Sequence, residues 1–182
     1  MKRGLMHAFG FVAAAALALG AGPASADSVG PYYATPSWDQ TLPSSTRFIV
    51  LANFGSAAVL DRETGLVWEQ SPDNTEKTWA AARFACILKT VGSRKGWRLP
   101  TVQELASLID PAVAFPGPTL PAGNPFSHVR SGGYWSASTL ADSTDQVWVA
   151  GFDFGFLTPV TKSAAGNIFT WCVRGGQGTD AQ

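Results

Sequence analysis

The chain has 182 residues, of which 46% are hydrophobic and 14% charged, and its thirteen basic residues balance thirteen acidic ones. That neutrality removes the electrostatic case for nucleic acid as a partner, which selects a basic face. Seven Trp and eleven Phe are a heavy aromatic load for this length, enough to fill a core and leave rings over for a binding face.

The chain opens "MKRGLMHAFGFVAAAALALGAGPASAD". Lys2 and Arg3 precede an apolar run over 9–19, and small residues at Ala24 and Ala26 offer cleavage before Asp27. This is the pattern of a secretory signal peptide over 1–26. A membrane span needs about 20 apolar residues, so the run falls short and a membrane-spanning protein is not expected. No Cys follows it to carry a lipid. Taking Lys2 and Arg3 from thirteen basic residues leaves eleven against thirteen acidic, a net charge of −2 for the remainder. The expected destination is the periplasm or the extracellular space, since one signal serves both.

Residues 27–45, rich in Pro, Ser and Thr, read as an extended lead-in. Strands are expected over 47–54 and 57–61, a turn over 61–65 with Gly65 as its permissive residue, and a returning strand over 66–70. A helix follows over 78–90. Its spacing puts Trp79, Ala82, Cys86 and Ile87 on the buried face and turns Arg83 and Lys89 to water.

The stretch "GWRLPTVQELASLIDP", 96–111, sets a second helix. Thr101 followed three residues later by Glu104 is a capping box, in which hydroxyl and carboxylate each satisfy a free backbone N–H. Pro100 keeps the residue before it extended. Trp97 and Leu99 pack beneath, Leu105, Leu108 and Ile109 form the buried stripe, and Pro111 stops the helix. Arg98 is left with three partners to choose from: Asp110, Glu104 or loop carbonyls.

A Pro/Gly-rich loop fills 111–133, a length that is often functional. Strands are expected over 134–139, 146–152 and 156–160, with a turn at 153–155 and a closing strand over 168–176. The stretch 140–146, holding Asp142 and Asp145, reads as an exposed loop, and 177–182 as a flexible tail. Strands, two helices, a long loop and more strands define an α+β domain over 46–176, with short, mostly antiparallel strands.

Only Cys86 and Cys172 are present, so one intramolecular disulfide is available, and an oxidising compartment favours it. The competing readings are a reactive thiol and a metal site; apolar neighbours ("RFACIL", "FTWCVR") suit a buried bridge better. His128 is the one His after the signal, and without a "GxSxG" elbow it makes no hydrolase triad. One His and two Cys are poor zinc ligands, and "DFG" at 153–155 lacks a kinase around it. No cofactor is expected. Calcium alone stays open, because Asn124, Asp142, Asp145 and loop carbonyls could supply hard oxygens.

Six stretches, "LDRETGLVWEQ", "TWAAARFAC", "GWRLPTVQELASLID", "YWSAST", "QVWVAGFDFG" and "TWCVRGG", together resemble the Lcl C-terminal domain family, the end domain of a bacterial collagen-like adhesin. Its "RLPT…E" portion is similar to the helix start of formylglycine-generating-enzyme-like proteins. Both groups are similar in fold to C-type lectin domains, which implies a Cys on the first helix bonded to a Cys on the last strand. The resemblance implies attachment to a glycan, including sulfated polysaccharide. The chain lacks Gly-X-Y repeats and is read as the terminal module alone. It also lacks the "EPN", "QPD" and "WND" residues of calcium-dependent lectins.

The expected function is thus an exported, non-catalytic binding or adhesion module that recognises a glycan or protein through its long loops. Asn124, His128, Arg130, Asp142 and Asp145 are the ligand-binding candidates, while Trp97, Arg98, Pro100, Thr101 and Glu104 form a structural motif. The alternatives are a structural or assembly component of the cell envelope, bound to an envelope protein, and a formylglycine-generating-type enzyme.

Overall fold

The computed structural model describes residues 41–164 and 166–176. The expected signal peptide, most of the lead-in and the tail lie outside these residues.

A buried arginine fixes the start of the domain. One-turn helix α1 (Ser44–Arg47) stands where the lead-in and first strand were expected to meet. Its last residue, Arg47, forks onto Asp61 at 2.9 Å through two nitrogens, pairs with Glu63 at 2.9 Å and donates to the Ser107 carbonyl. Strand β1 is only Phe48–Val50, because the chain then winds into a 3-10 turn at Ala52–Phe54 that buries Phe54. Strands β2 (Ala58–Asp61) and β3 (Leu66–Glu69) pair as expected around the 61–65 turn, closed by the Gly65 N–H on the Asp61 carbonyl. Gly65 adopts φ +70° there, a conformation costly for residues with a Cβ.

Helix α2 (Trp79–Leu88) buries Ala82 and Cys86, one turn apart on a single line. Ile87 was expected beside them but is 55% exposed, together with Phe84 and Leu88. It sits about 100° around the helix from Cys86, and the buried stripe here is too narrow to include it.

Strand β4 (Trp97–Arg98) leads into α3 (Val102–Ala106), whose capping box is present in both halves. The Glu104 N–H donates to Thr101 Oγ1 at 3.2 Å, and the Thr101 N–H to Glu104 Oε2 at 2.8 Å. Arg98 chooses Glu104, in a two-pronged bond of 2.8 and 2.7 Å, and also donates to the carbonyls of Leu99 and Gly175. The helix is shorter than expected, ending before Ser107, whose hydroxyl bonds back to the Glu104 carbonyl. Leu105 and Leu108 are nevertheless fully buried.

Strands β5 (Gly133–Leu140) and β6 (Ser143–Gly151) form one long hairpin, so most of the expected 140–146 loop is strand. Strand β7 (Phe156–Thr161) adds to β6. The expected closing strand is broken in two. β8 (Ile168–Phe169) joins β5 in parallel, and β9 (Val173–Arg174) lies between β3 and β4 in the other sheet. The result is a five-stranded sheet ordered β1-β2-β3-β9-β4 and a four-stranded sheet ordered β7-β6-β5-β8. The fold is α+β, mostly antiparallel, with few helices.

The break at 170–172 lets one segment serve both sheets. Trp171 is fully buried in an aromatic cluster with Trp68, Phe126, Tyr134 and Phe152. Cys172 is bonded to Cys86, their Cα atoms 5.5 Å apart, inside a second cluster that holds Trp97, Leu99 and Trp135. Glu69 fastens the same place. Its buried carboxylate accepts the Cys172 N–H at 2.8 Å and Lys89 Nζ at 2.6 Å, and its carbonyl accepts Trp171 Nε1.

The closed loop spans a sequence separation of 86. Replacing both cysteines by alanine is expected to lower stability by about 4–5 kcal/mol in the chain-entropy account, read by urea unfolding. Burial raises the Glu69 pKa above its ordinary 4.5, although Lys89 and the Cys172 N–H pull it back. Above that value the folded protein therefore holds more protons than the unfolded chain. Glu69's contribution to stability is full in acid and falls as pH rises through its raised folded value. Unfolding measured from pH 4 to 7 should show this loss in the native protein and its absence in Glu69→Gln.

Candidate functional site

Three backbone segments meet at one end of the four-stranded sheet. Parallel pairing of β5 with β8 sets Gly133 beside Ile168, and the Gly133 N–H donates to the Asn167 carbonyl at 3.1 Å. The connection between β3 and α2 is laid alongside by two bonds, Asp73 N–H to the Thr170 carbonyl and Lys77 N–H to the Ile168 carbonyl. Between these segments opens a cleft of about 410 Å³ lined by Asn74, Glu76, Arg130, Ser131, Asn167 and Phe169.

Each wall is held by its own local chemistry. Asp73 accepts the Thr75 N–H at 2.8 Å and pairs with Lys77 at 2.8 Å, which stiffens the turn that presents Asn74 and Glu76. Burial works to raise the Asp73 pKa, but the Lys77 and Thr75 bonds outweigh it and leave the value below normal. The Arg130 N–H donates to the buried Tyr134 hydroxyl at 2.7 Å, fixing the backbone while the side chain stays exposed. Burial raises the Tyr134 phenol well above its usual range, so it stays protonated. Asn167 holds φ +52°, and its side chain lies over Gly132.

The polar groups of the cleft are underused. Arg130 and Glu76 form no ion pair with any described residue. Asn74 Oδ1 is buried and accepts no hydrogen bond from a described residue. Phe169, 6% exposed, supplies an apolar floor. A guanidinium, a carboxylate, amides and a hydroxyl facing one concavity can bind a polar molecule by direct hydrogen bonds.

Of the five residues expected to bind ligand, only Arg130 lines this cleft. Asn124 spends its side chain on its own loop, donating to the Pro121 carbonyl and accepting the Phe126 N–H. His128 is exposed at φ +55°, with Nδ1 3.2 Å from the hydroxyls of Ser71 and Ser127. Asp142 occupies the β5–β6 hairpin turn, and Asp145, on β6, accepts the Ser143 hydroxyl. Strand β5 starts at the cleft and ends at this turn, separating the two acids from Arg130 by roughly 20 Å at the usual rise per residue. The five therefore do not form one site. Among the described residues no three His, Cys, Asp or Glu side chains gather where they could hold a metal.

The sequence reasoning missed Asn74, Glu76, Ser131, Asn167 and Phe169. "PDNTEK" and "AAGN" look like ordinary connectors, and only the parallel β5–β8 pairing brings them to Arg130.

The long loop itself is pinned to the body. The Ser127 N–H donates to the Gln70 carbonyl, Gln70 Nε2 to the Pro125 carbonyl and the Thr119 N–H to the Phe152 carbonyl. Gly117 passes so close to the Phe152 carbonyl that a Cβ would come within 2.2 Å of it. This docking stacks Phe115 on Phe154, ring centroids 4.4 Å apart, on the outer surface.

A two-sheet α+β domain, closed by one disulfide and carrying the arginine-backed capping box, defines the class. Residues 57–174 match the Lcl C-terminal domain model, and the chain belongs to that family. No curated protein matches the chain. Among the described residues no helix is long and apolar enough to cross a membrane.

A Cβ on Gly132 would lie 2.9 Å from Asn167 Oδ1 and 3.0 Å from the Phe169 ring. Gly132→Ala is expected to displace that wall and to lower stability by about 1–3 kcal/mol, as overpacking does. Thermal unfolding checks it.

Proposed function

We propose that the protein is an exported, non-catalytic binding module of C-type-lectin-like fold, and that the cleft at Arg130 holds its ligand, a glycan or a protein of the envelope. The observation that carries this reading is the cleft itself, with a guanidinium and a carboxylate that form no ion pair with a described residue. Membership of the Lcl C-terminal domain family supports a bacterial secreted or surface domain. The signal-like start and the disulfide support export to an oxidising compartment, periplasmic or extracellular. A cysteine on the first long helix bonded to one beside the last strand supports the lectin-like architecture. The same bond supports a non-catalytic role, since formylglycine-type chemistry draws on redox-active cysteines and both cysteines here are buried in one bridge.

A second reading, a structural or assembly component of the envelope, draws on two exposed apolar areas. One is the outer face of α2 with Phe84, Ile87 and Leu88; the other is the stack of Phe115 and Phe154 beside Phe156 and Leu157. Apolar side chains grouped on a surface commonly mark contact with another protein.

Binding of the purified, oxidised protein to glycans and sulfated polysaccharides, with calcium and again with chelator, tests the first reading. Saturable binding that survives chelation and weakens at least tenfold in Arg130→Ala is the expected outcome. No binding across the panel, with one stoichiometric protein co-purifying from the envelope, would transfer the function to the second reading.

A further inference from the structure

The lining of the cleft is balanced in charge. Arg130 brings one positive group and Glu76 one negative group, and neither forms an ion pair with a described residue. A densely anionic polymer is matched by several cations at once and gains from the counterions they release. Here one guanidinium stands beside a carboxylate that repels such a polymer. A neutral sugar would use neither charge. A small molecule carrying both an acid and an amine uses both.

We infer that the cleft recognises a zwitterionic ligand, with a carboxylate on Arg130 and an ammonium group on Glu76. The inference rests on the reading of this cleft as the binding site. The guanidinium suits the carboxylate because its planar fork offers two parallel N–H donors. The ammonium is a donor with no acceptor capacity, and Glu76 offers acceptors only. Asn74 stands in the same lining, and its Oδ1 has no hydrogen-bond partner among the described residues. Asn167 and Ser131 remain for neighbouring hydroxyl or amide groups, and Phe169 for the apolar side of the molecule.

A cleft of about 410 Å³ takes a monosaccharide or a dipeptide, free or at the end of a longer glycan or peptide. Two sources present this chemistry, amino-sugar acids and short peptides. They share the acid and the amine on one small frame.

The test is calorimetric titration of the purified protein with muramic acid and with alanyl-alanine. N-acetylmuramic acid, which lacks the ammonium, and glucosamine, which lacks the carboxylate, serve as deletions. Both variants used, Arg130→Ala and Glu76→Gln, alter exposed side chains, and their unfolding temperatures are measured alongside. The expected result is that one or both zwitterions bind at least tenfold more tightly than either deleted sugar. Arg130→Ala should then erase the preference for the carboxylate, and Glu76→Gln the preference for the ammonium. Which zwitterion is tighter identifies the source.

Equal affinity for muramic acid and its deleted forms, with weakening in Arg130→Ala, overturns the zwitterion and leaves the cleft as the site. So does tighter binding of a sulfated oligosaccharide that improves in Glu76→Gln. Failure of every probe, together with glycan binding that Arg130→Ala leaves unchanged, overturns both.

Discussion

Everything in this domain depends on the crossing of the chain at 170–172. Within three residues the backbone leaves the four-stranded sheet and enters the five-stranded one as a central strand. A short segment with so few ladder bonds holds its place through side chains. Trp171 fills one hydrophobic cluster, Cys172 is covalently tied in the other, and Glu69 bonds the backbone between them. A buried carboxylate is costly to desolvate, and the Lys89 ammonium with the Cys172 N–H offsets much of that cost. The same crossing builds the cleft, because Asn167 and Phe169 lie just before it and Asp73 pairs with Thr170 within it.

The arginine clamps act at a second level. Arg98 joins the cap of α3 to the carbonyl of Gly175, so the helix start and the end of the domain share one carboxylate, Glu104. Gly176 is close enough that a Cβ would meet Arg98, Glu104 and Leu66 within 3.0 Å. Arg47 does the equivalent for the domain's start, gathering Asp61, Glu63 and the Ser107 carbonyl. Two charged networks thus tie Arg47, near the start of the described residues, and Gly175, near their end, to the region around α3.

Local rules made much of this legible. A capping box is written in four consecutive residues, and Thr101 with Glu104 behaves as those residues dictate. Two cysteines in a chain that begins like an exported one leave a single pairing, which the fold contains. The turn at Gly65 and the irregular 111–132 loop also follow from composition. What stayed hidden is non-local. "IFTWCVRGG" is mostly apolar as far as Val173 and reads as one strand; its division between two sheets goes with Trp171 and Cys172 occupying different clusters. Ile87 looks buried by hydropathy, yet the width of the α2 stripe is set by what packs against it. Arg130 draws notice because it lies in a conspicuous loop, whereas Glu76 and Asn167, which line the same cleft, stand in plain connectors.

The position of β9 also orders events in time. It is the last strand among the described residues, it is flanked on both sides by earlier strands, and the cysteine beside it closes the bridge to the first long helix. The five-stranded sheet therefore has a gap in its middle until residue 174 is available. A chain emerging from a ribosome has made β3 and β4 before the strand that lies between them. The sheet is completed only when residues 173 and 174 enter that gap, beside the bridge to Cys86.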